Sequence, residues 1–153
     1  MRPPVHLRIG LLAAALWWGS LSALGVVVVP MLFMHLESPV AAGAMAAKLF
    51  GAQTWITSGC AALMLVVFNQ NSEFSQDSRA RAAIKFIVLG ILLALLVEFG
   101  VASRIVTARA DGGNLRLWHG LGNAMLLGQW ICAGLVLWRL SAPTACQAPG
   151  KTG

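Results

Sequence analysis

Charge is scarce in this chain. Of its 153 residues 58% are hydrophobic and only 10% are charged, and the mean hydropathy is +0.77. A soluble domain of this composition would lack the polar side chains needed to cover its own surface, so a membrane protein is the first reading. Cysteine is equally sparse. There are three, none in a CxxC pair, with Cys60 and Cys132 inside apolar runs and Cys146 alone near the C-terminus. That excludes a redox dithiol and a structural zinc site of the usual spacing, and the absence of C-x-x-C-H argues against attached haem. Catalytic signatures are missing too: no G-x-S-x-G elbow, no H-E-x-x-H helix, no phosphate-binding loop and no dinucleotide glycine pattern. Gly120, Gly122, Gly128 and Gly134 lie within one apolar run, where helix packing accounts for them. The expectation is a protein that is not an enzyme. Nor is there a Pro/Gly/Ser-rich linker, so the chain reads as one unit.

Acidic residues are few, five against eleven basic ones, a formal charge of +6. The basic residues are scattered between apolar segments rather than gathered in a stripe. This favours anionic lipid headgroups and topology signals over nucleic acid, which is not an expected partner.

Long apolar runs are what the chain has in abundance. They fall at about 9–33, 49–68, 84–105 and 117–137. The first could open a signal peptide, but Ile9 to Phe33 covers roughly 37 Å at ~1.5 Å per residue, longer than a hydrocarbon core of ~30 Å and far longer than a secretory core. An uncleaved spanning helix is the better reading. Pro30 is expected to kink or tilt it, because proline cannot donate to the carbonyl four residues back. Ser38 and Pro39 form a helix start, leaving residues 40–48 as either an interfacial turn or an extension of the second span. Asp111-Gly112-Gly113 reads as a tight turn between antiparallel helices. The fold expected is all-α, an integral membrane bundle of four transmembrane helices over residues 1–140, with a disordered tail at 141–153. Basic residues near the span ends number seven on the side of both termini, from Arg2 to Lys151, and four on the other, Lys48, Arg104, Arg109 and Arg116. That bias places both termini in the cytoplasm. The location expected is a bacterial inner membrane, crossed several times.

Helices associate in lipid through small residues and interhelical hydrogen bonds, since leucine gains nothing by exchanging acyl chains for another leucine. Small residues recur every four positions at Ala15, Gly19 and Ala23, at Gly90, Ala94 and Ala102, and at Gly120, Ala124 and Gly128. Glu98 falls on the second of these stripes. It lies thirteen residues (~20 Å) from Lys85 and six (~9 Å) from Arg104, in the outer third of its span. A carboxylate there requires a partner or a water pocket. Met31, Met34 and His35 share one face at the end of the first run, His119 and Asn123 stand one turn apart at the start of the fourth, and Gln53, Thr54, Thr57 and Ser58 occupy the second.

Three readings of this polar neighbourhood stay open. Glu98, His35, His119 and Asn123 can bond between helices and fix their register. They can instead form a small-ligand or metal site, with methionine and imidazole suiting Cu(I) and imidazole with carboxylate suiting Zn(II). Or they can be part of a proton-linked translocation path, although no acidic or basic residue continues it into the inner half, where water or residues such as Gln129 would have to complete it. Beyond the lipid bilayer, a second copy or another membrane protein is a candidate partner.

The stretch "LWWGSLSALGVVVVPMLFMHLESPVAAGAMAAKLF", with Trp18-Gly19 leading to Pro30-Met31-Leu32-Phe33 and with Ala42-Gly43 and Leu49-Phe50 behind it, carries a resemblance that "LWHGLGNAMLLG" around His119 extends. On these residues the chain resembles a bacterial membrane family of unknown function related to eukaryotic transmembrane protein 205. The likeness runs over about Ile9 to Leu140 and implies a multi-pass membrane protein. It brings no catalytic residues with it.

Overall fold

The computed structural model describes residues 5–70, 78–110 and 113–141. Four helices account for nearly all of them: α1, Val5–His35; α2, Pro39–Asn69; α3, residues 78–110; and α4, Leu115–Ser141. Each carries a stretch long and apolar enough to cross a membrane, in α3 Arg81–Ile105, and no strand occurs among the described residues. The chain is an all-α protein with four membrane-spanning helices.

Local chemistry sets the helix starts. Ser38 is extended, at φ −139°, and its hydroxyl accepts the Ala41 N–H at 3.2 Å, with Pro39 in the first turn. From that cap α2 runs unbroken to Asn69, so residues 40–48 belong to the second helix. Asn114 does the same for α4, its carboxamide oxygen accepting the Leu117 N–H at 3.1 Å. Asp111 and Gly112 of the expected turn, and residues 142–153 of the expected tail, lie outside the described residues.

Two helices contain a wider turn. In α1 the segment Ala23–Val28 is π-helical and the Val29 N–H reaches back five residues to the Leu24 carbonyl. Pro30 follows at once. Its ring would crowd the Val26 carbonyl in a regular α-helix, and the wider turn stands just before it. In α3 the π segment is Leu96–Val101, with Ala102 N–H bonded to the Val97 carbonyl. No proline accompanies it, and Glu98 stands inside it.

The helices pack in cyclic order, each antiparallel to its neighbours in the chain, with α4 closing back on α1. A single apolar core lies in the half of the bundle near the chain termini. There Ala14, Ala61 and Ala133 are fully buried and let the backbones approach, while Trp17, Met64, Phe68, Ile87 and Val136 fill the space between. Trp17 crosses from α1 to α3, where Gly90 makes room for it: a Cβ on Gly90 would stand 2.5 Å from the indole Cη2. Phe68 sits on Gly10 of α1 in the same manner. At this end the Arg139 guanidinium lies 5.3 Å from the centre of the Phe86 ring.

Beyond Ser22 this order changes. The last segment of α1, Val29–His35, stays beside α2 but no longer runs along α4, whereas α3 follows α4 to its end and approaches α2 there only at its own π turn. The bundle is thus two hairpins, α1–α2 and α3–α4, joined through the near half and parted in the far half.

Candidate functional site

The residues that mark the parting are polar. Ser20 donates to the Trp17 carbonyl at 3.0 Å and accepts the Gln53 side-chain N–H at 3.0 Å. Ser22 donates to the Trp18 carbonyl at 2.8 Å and accepts the Trp130 indole N–H, also at 2.8 Å. Each serine therefore spends its proton within α1 and its lone pair on a neighbour, α2 in one case and α4 in the other. Hydroxyls bonded back to their own helix often bend it, and these two stand just before the π turn. Trp18 and Trp130 reinforce the join, with ring centroids 5.6 Å apart.

Above this pair the far half opens into a cavity of about 440 Å³. Leu24, Gly25, Val26 and Val29 of α1 form one wall and Asn123, Leu126, Leu127 and Trp130 of α4 the other, with Phe50 of α2 closing the inner end. The walls are apolar apart from Ser22, the Asn123 carboxamide and the Trp130 N–H.

Glu98 lies on the opposite side of the same parting. Its Oε1 is 3.3 Å from where a Cβ on Gly51 would stand, so the bare glycine backbone of α2 seats the carboxylate. Gly51 directly follows Phe50, and Gln53, the partner of Ser20, is two residues further. The π turn of α3 and the entry to the π turn of α1 thus face the same stretch of α2, at one depth. The carboxylate is partly buried, and no hydrogen bond or ion pair to it is found among the described residues. Lys48, one turn before Gly51, is exposed.

The expected metal or polar set is only partly assembled. Asn123 lines the cavity, but His35 is exposed at the end of α1, where its Nδ1–H donates to the Met31 carbonyl at 3.0 Å. Met31 and Met34 point outward, and His119 is exposed in the first turns of α4. Among the described residues no three His, Cys, Asp or Glu side chains form a group able to hold a metal ion. His35 and His119 are thus exposed and Glu98 partly buried, and the three are not drawn together as a group among the described residues.

The helix-packing set also divides. Gly90 and Ala94 are buried between α3 and its neighbours, and a Cβ on Gly128 would meet Leu93 at 3.1 Å. Gly19 and Gly120 have nothing within 4 Å of a Cβ, and Ala124 is exposed. The stripes on α1 and at the start of α4 face away from the bundle, because Trp17 and Leu21 on α1, and Gly122 and Gln129 on α4, take the inward positions. Sequence reasoning missed the two serine bridges. A signal existed: Trp130, deep in an apolar span, needs an acceptor for its N–H.

The four spans with an outward-parted pair of hairpins define a multi-pass membrane protein of helical-bundle class. More particularly, the chain belongs to the family described as domain of unknown function DUF4149, which matches residues 12–114. The match takes in most of α1, all of α2 and α3, and stops just before α4. No curated protein and no solved structure matches the chain.

Proposed function

We propose that this protein binds a small, largely apolar solute in the cleft between its two hairpins, and that with both termini cytoplasmic the cleft opens toward the outer face. The observation that carries the reading is the cavity of about 440 Å³ with apolar walls and three polar groups, Ser22, Asn123 and Trp130. Small-molecule sites commonly occupy ~300–1,000 Å³ and combine apolar walls with a few placed polar groups. The two π turns add support, since such turns occur often at functional sites. A solute is favoured over a Cu or Zn ion because the candidate donors stand apart, whereas the cavity's groups face one space. The likeness to transmembrane protein 205 at Trp18-Gly19 and Pro30–Phe33 is part of this proposal, since those residues surround the π turn that forms one wall.

The test is native mass spectrometry of protein purified gently in nanodiscs, wild type beside Asn123→Leu. The wild type is expected to release a small molecule that the variant does not retain. Identical spectra holding only phospholipid would overturn the reading. A second reading, a partner-binding membrane subunit, is favoured by one observation: Gly19, Gly120 and Ala124 present small-residue surfaces that this chain's own helices do not cover. Close helix approach at such surfaces is a common mode of association in lipid.

A further inference from the structure

We infer that the ligand of this cleft is a single-chain lipid with an uncharged hydrogen-bonding head, taken up sideways from the bilayer, and that Asn123 holds the head. The inference rests on the cleft reading above and names its ligand class. Among the residues that line the cavity, Val29 is six and Leu21 fourteen residues from the end of α1 at His35, and Asn123 is eight and Trp130 fifteen from the start of α4 at Leu115. At ~1.5 Å per residue the cavity lies ~9–23 Å below those helix ends. A bilayer is ~40–45 Å thick with a hydrocarbon core of ~30 Å. The cavity therefore runs from near the edge of the hydrocarbon to about its middle, in the leaflet away from the termini. Val26, Leu127 and Trp130 line it and are nonetheless exposed, which puts its mouth on the lipid-facing seam of α1 and α4, with Phe50 of α2 behind. What enters such a mouth at that depth must dissolve in the membrane.

Polarity is graded along the cleft as it is along a lipid. At the deep end Ser22 and Trp130 bond each other, beside Leu21, Leu24 and Leu126. At the outer end stands the Asn123 carboxamide, which makes no hydrogen bond among the described residues. An unbonded amide at hydrocarbon depth is costly, and a ligand that brings it a partner removes that cost. No lining side chain is charged, so a carboxylate or phosphate head would stand there without a counterion, whereas a hydroxyl or amide head would exchange hydrogen bonds with Asn123. At about 440 Å³, near the lower end of the ~300–1,000 Å³ usual for small-molecule sites, the cavity suits one chain rather than two. The near half offers an internal contrast. A groove between α1 and α2, lined by Leu12, Leu16, Ile56 and Leu63, has no hydrogen-bonding side chain except the Cys60 thiol, so it can accept an acyl chain but selects no head.

The experiment places the full chain in phosphatidylcholine nanodiscs with a trace of hexadecanol carrying a diazirine in its chain, and maps the photolabelled residues by mass spectrometry. Labelling is expected to be at least fivefold denser on Leu24, Val26, Leu126 and Leu127 than on Leu12 and Leu63 of the near-half groove. Unlabelled hexadecanol should displace it, and hexadecane or palmitate should not. Asn123→Leu should bring the cleft down to the level of the groove, and Asn123→Gln should keep most of the difference. Equal displacement by hexadecane overturns selection by the head, and better displacement by palmitate overturns an uncharged head; both outcomes leave the cleft reading standing and need no variant to fold. Labelling no denser in the cleft than in the groove overturns the inference, and the cleft reading falls with it unless the native mass spectra of the wild type still show a released molecule.

Discussion

Gly90→Ala is the most exacting test of how the near half is packed. The added Cβ would lie 2.5 and 2.6 Å from Trp17 Cη2 and Cζ2, against a favourable carbon–carbon separation of ~3.5–4.0 Å. The ring must retreat by about 1 Å or the helices must part, since the contact is with the rigid end of a fully buried indole. Overpacking of this kind costs ~1–3 kcal/mol. Opposing it, alanine gains up to ~1 kcal/mol of helix propensity over glycine. The single variant alone is therefore a poor measure, because the two terms partly cancel. The propensity gain is present whatever stands at position 17, so it drops out of a double-mutant cycle with Trp17→Leu, and the steric term remains as the coupling energy. Reversible unfolding in mixed dodecyl maltoside and SDS micelles should give a coupling of ~1–3 kcal/mol, with Gly90→Ala harmful beside Trp17 and neutral or helpful beside Leu. A coupling within ~0.3 kcal/mol of zero would refute the placement of Trp17 on Gly90.

Two further predictions concern the polar groups. Ser20→Ala removes the acceptor of the Gln53 N–H, a side chain only 5% exposed, so stability should fall by ~1–3 kcal/mol in the same unfolding assay, and a second change, Gln53→Leu, should recover most of the loss; additive losses would show that the bond is not made. The Thr57 hydroxyl is fully buried and has no hydrogen-bond partner among the described residues, so Thr57→Val, which keeps the shape and removes the polar group, should raise stability by ~1–3 kcal/mol; a clear loss would mean that the hydroxyl serves a bound water or ligand.

The architecture was legible because it follows from coarse properties. Four apolar runs long enough to span, short polar breaks, and a Ser38-Pro39 start are sufficient to predict four helices, and Gly90 and Ala94 were identified as close-packing positions from their spacing alone. The site was legible only in part, for a geometric reason. Four-residue spacing assigns residues to a common stripe but does not say whether the stripe faces inward, so Gly19, Gly120 and Ala124 were indistinguishable from Gly90. Depth along a helix likewise says nothing of azimuth, so a shared depth alone does not decide whether His35 and His119 meet Glu98. The π turn of α3 could not be read at all. It adds one residue to a turn without proline or any other local mark, and it rotates every residue beyond it relative to a regular helix.

Cleft and core occupy opposite halves of the bundle for the same physical reason. In lipid, apolar side chains gain little by meeting each other, so helices stay together where backbones approach closely and polar groups are exchanged. The near half meets that condition through Ala14, Ala61, Ala133 and Gly90. The far half of α1 does not: Val26, Val27, Val28 and Val29 are bulky and β-branched. Where the hairpins begin to part, the Ser22–Trp130 bond joins α1 to α4 and contributes ~0.6 kcal/mol by the average for membrane hydrogen bonds, while the Ser20–Gln53 bond lies within the α1–α2 hairpin. The near half therefore sets the fold, while the far half is held by interactions weak enough for a bound ligand to outweigh.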